Sequence, residues 1–395
     1  MKLAFIANAR IPSERANAMQ TAQMCAAFAS AGADVTLYYP DRRNTFAAVD
    51  LYEYYGVPRN FQTRRVPCID WIAPNNQRHP LEQLIFMVQT FTFGAALLVS
   101  LWRSPADIYY SRDPFVLALL AFGLPQARRQ MLFEAHTLPM SSLGRLFRRR
   151  VLNRVRGTVA ISHSLGRLYV ALGLPEASVI TAPDGVELSR FSKALTKAEA
   201  RARLGLPLKQ KLVVYTGGLY QGRGLEELIV AIKTVEAVLV IVGGQDRQSV
   251  TRLKNYAAQA GVTNVRFEGH RPPAEVPLYL AAGDVLAMPY SRRTVAPGGV
   301  TTDWMSPLKM FEYMAASRPI VASDLPALRE VLRDGENAVL VEPDNVVALA
   351  DGLRCLLSEA SLAQRLAAQA WCDVEAYTWD ARAKTILDFV MRAHD

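Results

Sequence analysis

Leu212-Val213-Val214-Tyr215-Thr216-Gly217-Gly218-Leu219-Tyr220-Gln221-Gly222-Arg223-Gly224 leads into residues 225–232 at helical spacing, so the order is strand, glycine-rich turn, helix. A unit of this kind turns free backbone N–H groups and a helix start toward the space beyond the strand, and both favour an anion. The glycine spacing is not that of a dinucleotide-binding turn. Where a P-loop needs lysine and then serine or threonine after Gly222, the chain has Arg223 and Gly224. A tight turn with no ligand stays open as a reading of the glycines alone.

Outward from this unit the same alternation repeats. Strand-like runs at 238–242, 265–268, 285–288, 320–322 and 339–341 follow it. Runs at 2–7, 34–39, 107–110, 131–134, 158–161 and 179–181 precede it, separated by helix-length segments such as 18–31 and 164–172. Strands that alternate with helices build parallel sheets covered on both faces, and the restart at residue 212 predicts an α/β chain of two doubly wound, Rossmann-like domains. Residues 185–210 offer no core strand and end in Leu206-Pro207-Leu208, which predicts the linker there. After residue 342 the chain reads as helices at 345–358, 361–377 and 379–394. The expected domains are therefore 1–185 and 186–377, with a C-terminal helix at 378–395 that packs back on the first domain.

With 51% apolar and 21% charged residues among 395, the chain is globular rather than disordered. Its net charge of +9 suits an anionic ligand, an anionic membrane surface or nucleic acid. The main basic run lies at 144–157, where Arg145, Arg148, Arg149, Arg150, Arg154 and Arg156 alternate with Leu146, Phe147, Val151, Leu152 and Val155. It reads as a basic amphipathic helix suited to an anionic bilayer, with a solvated helix as the other reading. Nucleic acid is disfavoured, because the run belongs to no recognised nucleic-acid-binding module. Residues 84–102 form 19 positions without a charge, long enough to cross a bilayer, but the strand expected at 107–110 would then be separated from its sheet. A helix buried against the sheet is expected instead. Cys25, Cys68, Cys355 and Cys372 lack paired spacing, and His79, His136, His163, His270 and His394 lack metal spacing. With no export signal visible at the start, a cytoplasmic protein with reduced thiols and no metal is expected.

A second candidate anion site is Ser306-Pro307-Leu308-Lys309-Met310-Phe311-Glu312-Tyr313-Met314-Ala315. Ser306 is expected to cap the helix and Pro307 to open it. Lys309 then falls in the first turn, where a cation opposes the helix dipole unless an anion lies nearby. Glu312, one turn on, is placed to accept hydrogen bonds from hydroxyl groups.

This segment, with Ser317-Arg318-Pro319-Ile320-Val321-Ala322-Ser323-Asp324 after it, resembles the donor-binding signature of the family 4 retaining glycosyltransferases, which have the GT-B fold. Nearly the whole chain fits. Phe133-Glu134-Ala135-His136, Val159-Ala160-Ile161-Ser162-His163-Ser164, Pro183-Asp184-Gly185-Val186, Asn264-Val265-Arg266-Phe267-Glu268-Gly269 and Ala282-Gly283-Asp284-Val285 come in the expected order. The resemblance implies that the two domains face each other across a cleft. It also implies that Glu312 binds the donor ribose, that Arg223 and Lys309 neutralise the diphosphate, and that Gly217 and Gly218 let the backbone approach it. Gly243, Gly269 and His270 would line the nucleotide pocket, with Ser306, Pro307 and Leu308 at the helix start, and His136 would face the transferred sugar. Two positions depart from the family pattern: Trp304 stands where a glutamate is frequent, and Gly218 where an arginine is common.

The implied activity is retaining transfer from a UDP- or GDP-linked sugar to a glycan or lipid-linked acceptor in bacterial surface polysaccharide or glycolipid biosynthesis. The loop at 8–17, with Arg10, Glu14 and Arg15, is a candidate acceptor contact, and peripheral docking at the inner face of the cytoplasmic membrane is expected through 144–157. The competing readings are a nucleotide-sugar 2-epimerase, an inactive homologue acting as an assembly partner, and a two-carboxylate hydrolase using Glu134 and Glu312.

Overall fold

The structure, a computed structural model, describes residues 1–46, 48–71, 81–192, 195–244, 247–296 and 299–392. His79 and His394 therefore lie outside the described residues. The chain divides into two compact units, Met1–Pro183 with Trp379–Asp395, and Asp184–Thr378.

Seven parallel strands form the first unit's sheet: β1 (Lys2–Ile6), β2 (Asp34–Pro40), β3 (Gln62–Val66), β4 (Ile108–Ser111), β5 (Met131–Ala135), β6 (Gly157–Ala160) and β7 (Val179–Thr181), in the order β3-β2-β1-β4-β5-β6-β7. β4, β5 and β6 are buried along their whole length, as strands covered on both faces must be. β3 has no counterpart in the sequence reading, because at the sheet edge four of its five residues are exposed and polar. The C-terminal helix Trp379–Arg392 packs on this unit through Trp379, Ala383, Ile386, Leu387 and Val390. The Phe389 ring approaches so closely that a Cβ on Gly157 would sit 2.7 Å from it.

The second unit's sheet has β8 (Leu212–Thr216), β9 (Val238–Val242), β10 (Val265–Gly269), β11 (Val285–Met288), β14 (Ile320–Ser323) and β15 (Val339–Val341), in the order β10-β9-β8-β11-β14-β15. A short hairpin of β12 (Val295–Ala296) and β13 (Gly299–Val300) stands apart. Alternate residues feed two cores: Leu212, Val214, Val238 and Val240 pack on one side, and Val213, Tyr215, Leu239 and Ile241 on the other. Each fully buried side chain of this size contributes roughly 1.5–3 kcal/mol over leaving it exposed.

Two expectations need correction. The segment at 185–210 is not a free linker but part of the second unit. Its helix Lys197–Leu204 is fixed by a Thr196–Glu199 capping box, and Arg201, 4% exposed, donates to the Ala282 carbonyl and to Asp284. A chain that carries its own cap and a buried arginine is held rather than loose. The helix Glu82–Arg103 is only half buried: Phe93, Gly94, Leu97 and Leu101 face the protein, and large apolar side chains cover the other face.

Candidate functional site

In a doubly wound sheet, ligands gather beyond the carboxyl ends of the strands where the strand order reverses. In the second unit that point lies between β8 and β11. The turn after β8 brings Gly217 there, and the chain after β11 brings Tyr290.

The glycine turns of neighbouring strands are stacked by backbone hydrogen bonds. Gly217 donates to the Val242 carbonyl at 2.9 Å, and Gly243 donates to the Gly269 carbonyl at 2.8 Å. Gly243 has φ +146°, and a Cβ there would lie 1.9 Å from the Gly217 carbonyl oxygen. Gly243→Ala is therefore expected to cost about 2–4 kcal/mol in a denaturant melt and to weaken nucleotide binding at least tenfold in a calorimetric titration.

Lys309 comes from the helix Leu308–Ala315 and is 9% exposed. Its ammonium lies 3.7 Å from the Tyr215 ring centroid and 5.4 Å from that of Tyr290, without a hydrogen-bond partner among the described residues. A Cβ on Gly217 would be 3.0 Å from that nitrogen, so the lysine ends directly beside the turn after β8. The Arg223 guanidinium carbon is 4.9 Å from the same Tyr290 ring. Burial, and then the charge of Arg223, hold Lys309 well below its ordinary pKa. Two cations gathered on one tyrosine in a buried place could hold an anion between them.

The start of this helix differs from the expectation. Pro307, with ψ 125°, occupies the cap position, Leu308 opens the helix, and no side chain caps it. Ser306 thus lies one residue ahead of the cap, and its hydroxyl accepts a hydrogen bond from the Asp184 N–H at 3.1 Å. No acidic residue occupies the first turn, which leaves the helix start available to an external anion. By contrast Glu226 and Glu227 sit in the first turn of the helix Leu225–Ile232, so that helix start is already balanced by its own carboxylates. Of the glycine-rich unit, the turn and Arg223 are left as the groups that could hold an anion.

Glu312 has a side chain 14% exposed, and its carboxylate lies 3.5 Å from Arg190. Burial pushes its pKa up despite the opposing charges of Arg190 and Lys309. Gly218 lies under the Tyr220 ring, and its carbonyl accepts from the Tyr215 hydroxyl at 2.7 Å. Gly269 ends the edge strand β10, two strands from β8, the exposed His270 follows it, and the left-handed Gly269 backbone faces open space. Trp304 is half-buried in the turn before Ser306.

Sequence reasoning missed several partners. Tyr215 and Tyr290 hold the cations, and the Tyr313 hydroxyl accepts from the Thr216 N–H at 2.8 Å, tying the Lys309 helix to the end of β8. Thr294, fully buried, binds the Gly222 carbonyl at 3.1 Å and pins the following loop to the glycine turn. Arg190 was hidden in the supposed linker. Tyr290 carried a usable signal, since it closely follows a strand that borders the reversal point.

In the first unit the strand order reverses between β1 and β4, and Glu134 at the end of β5 organises the adjacent space. Its carboxylate is fully buried. It accepts from Gln20 at 2.6 Å and from the Tyr110 hydroxyl, bonds His136 through Nε2, and lies 3.7 Å from Arg112 and 3.5 Å from Arg382. Burial alone would raise its pKa, but Arg382, His136 and Arg112 hold it well below the carboxylate range. A carboxylate enclosed in this way positions His136 and is not available as one of a hydrolase's two acids, which removes that reading. Arg10 of the loop at 8–17 donates to the Arg43 carbonyl at 3.0 Å and reaches Asp70.

Among the described residues no group of three His, Cys, Asp or Glu side chains could hold a metal ion. The pattern of the Glycosyl transferases group 1 matches residues 210–359, and that of Glycosyltransferase Family 4 matches residues 18–190. The chain is 30% identical to a phosphatidyl-myo-inositol mannosyltransferase of Mycobacterium leprae, over 71% of this chain and 72% of that one. The chain spans 56% of the length of another relative, a D-inositol 3-phosphate glycosyltransferase of Xylanimonas cellulosilytica, at 32% identity. Among solved structures, sucrose-phosphate synthase from Thermosynechococcus elongatus superposes with a TM-score of 0.79 at 20% identity, covering 100% of this chain and 99% of that one. Anabaena Alr3699/HepE, solved in complex with UDP-glucose, gives 0.74 at 18% identity, covering 99% of this chain and 100% of that one. These structures share the GT-B fold of two Rossmann-like domains.

Proposed function

Because the chain belongs to the family 4 glycosyltransferases, we propose that it moves a sugar from a UDP- or GDP-linked donor, with retention and without a metal, to a glycan or lipid-linked acceptor. Bacterial surface polysaccharide or glycolipid assembly on the cytoplasmic side of the membrane is the setting in this reading.

The observation that carries it is the Lys309 ammonium, buried beside the Gly217 turn without a hydrogen-bond partner among the described residues and next to Arg223. Glycosyl transfer leaves negative charge on the departing diphosphate. Preorganised cations in a dry site stabilise that charge more in the transition state than in the ground state, which is what accelerates the step. Lys309 and Arg223 thus supply the charge that a metal ion supplies elsewhere. Glu312, one turn along the same helix, takes the ribose hydroxyls, and Arg190 keeps its carboxylate oriented. In the first unit, His136, set by Glu134, is the candidate catalytic residue.

Mass spectrometry of reactions with UDP- and GDP-sugars tests the proposal. Sugar should reach an added acceptor, whereas isomerised donor in the absence of acceptor would indicate the 2-epimerase. Glu312→Gln should weaken donor binding about tenfold to a hundredfold, the effect of losing one or two hydrogen bonds to a charged acceptor. A thermal-shift series reads this out, because donor at a hundred times its Kd adds about 2.7 kcal/mol of stability. An inactive homologue would keep its function in the Gln variant.

A further inference from the structure

The apolar helix Glu82–Arg103 carries a surface that the transfer chemistry does not use. Leu84, Met87, Phe91, Ala95, Val99 and Trp102 recur every three or four residues and so form a single stripe along it. Leu84, Met87, Phe91, Val99 and Trp102 are 56, 65, 61, 45 and 62% exposed, and no charge interrupts the stripe. The neighbouring helix Pro114–Gly123 adds Phe115 and Phe122, seven residues apart on one face and 55 and 85% exposed. The two helices are locked by close approach: a Cβ on Gly94 would strike Leu119, and one on Gly123 would strike Leu98. Phe115 stacks on Phe147 of the helix Ser142–Leu152 at 5.1 Å, which joins the apolar pair to the basic helix. There Leu143 and Leu146 are also exposed.

The arginines of that segment divide into two groups. Arg148 turns inward to the Tyr169 hydroxyl at 2.6 Å, and Arg156 to the Val390 carbonyl. Arg145, Arg149, Arg150 and Arg154 are exposed.

We infer that this face docks on an anionic bilayer, with the Leu84, Met87, Phe91, Val99 and Trp102 stripe and Phe122 entering the acyl boundary and the four exposed arginines meeting lipid phosphates. Apolar surface of this extent on a soluble protein marks a partner. The adjoining charge selects which one. A second copy would bring the same net charge of +9 and the same arginines, whereas a bilayer surface brings the opposite charge and an apolar interior in one partner.

The helix lies on the membrane and does not cross it, because its other face belongs to the protein. Asn8, at the carboxyl end of β1, donates to the Thr90 hydroxyl at 3.0 Å and accepts from Gln89 at 3.0 Å, and Phe93, Leu97 and Leu101 are fully buried. The same bonds tie the docking face to the strand end where the first unit's order reverses. The inference stands on exposure and charge and not on the donor site.

The test is co-sedimentation of the full-length protein with vesicles of phosphatidylcholine alone or mixed with phosphatidylglycerol. Wild type should bind the anionic vesicles at least about tenfold more tightly. Met87→Glu/Phe91→Glu/Phe122→Glu should lose at least about a hundredfold, since each buried side chain of this size is worth about tenfold or more, and the single Phe91→Ser should lose about tenfold. Arg149→Gln/Arg150→Gln should weaken binding to anionic vesicles alone. Thermal midpoints and UDP or GDP binding should be unchanged in all variants, which separates this result from failure of the donor site. Wild type left in the supernatant with anionic vesicles, or a triple variant that sediments as well as wild type, overturns the inference. So does a solution dimer that the glutamates dissolve in protein that ignores vesicles, which assigns the face to a second copy.

Discussion

Lys309→Met is expected to slow sugar transfer by about a hundredfold to a thousandfold and, without ligand, to melt at a higher temperature than wild type. The first effect is the usual consequence of removing one preorganised charge from a site where charge develops. The second follows from the cost of the lysine. Its ammonium is buried among tyrosine rings with Arg223 beside it, and no hydrogen-bond partner among the described residues compensates it. An apolar side chain of similar shape removes that penalty, and a gain of about 1–3 kcal/mol is expected. In a unit of this size that raises the midpoint by about 2–4 °C for each kcal/mol.

The pH dependence separates this from simple repacking. Lys309 titrates in the fold below its ordinary value of 10.5. The folded state therefore binds fewer protons than the unfolded one, and the wild type's ligand-free stability should climb as pH rises from the lowered pKa toward 10.5. The methionine variant should lack that part of the climb. Paired melts with and without a nucleoside diphosphate across this range check both effects, since added diphosphate should stabilise wild type far more than the variant.

Glu134→Ala is expected to destabilise the first unit by about 3–5 kcal/mol, the cost of leaving buried cations without their counter-charge. Arg112, Arg382 and His136 would all face the vacancy, and Tyr110 and Gln20 would lose their acceptor. Because Arg382 belongs to the C-terminal helix, hydrogen exchange there should rise first. A cycle with Arg382→Met isolates the pairing, and the double variant should be less destabilised than the sum of the single ones.

Glu134→Gln keeps the shape and removes the charge. The wild-type carboxylate has a folded pKa depressed below its ordinary 4.5, so its contribution is complete above 4.5 and is lost as pH falls through the folded value. The glutamine variant should lack that acid-side loss. Its transfer rate should fall, because an amide positions the His136 ring less firmly than the carboxylate does. Acid titration of both proteins by circular dichroism checks the stability part, and kcat measured at one pH checks the positioning of His136.

The fold was legible wherever burial leaves a pattern. The fully buried strands β4, β5, β6, β8 and β9 read as apolar runs because both their faces are covered. β3 did not, since its Gln62-Thr63-Arg64-Arg65 face water at the sheet edge and carry no apolar alternation. The helix Glu82–Arg103 misled in the opposite direction. A helix apolar all round ordinarily signals burial, and sequence periodicity cannot tell a face buried in protein from one left apolar for another partner.

At the site, Lys309 and Glu312 stood out as charges at unfavourable or apolar positions, and the structure brings Lys309 and Arg223 together. Of what gathers them only Tyr290 carried a signal, its place just after a strand at the reversal point, because Tyr215 and Thr294 act through approach in space from separate parts of the chain. The helix cap differs because Pro307 stays extended and takes the cap position itself, one residue after Ser306, whose hydroxyl accepts from the distant Asp184 N–H.

The most direct test of the central claim is a calorimetric comparison of uridine and guanosine with UDP and GDP on the wild-type protein and on Lys309→Met. One diphosphate should bind wild type at least about a hundredfold more tightly than its nucleoside, the worth of two charged contacts, and most of this preference should disappear in the variant. Equal binding of nucleoside and diphosphate by wild type, or a preference undiminished in Lys309→Met, would contradict it.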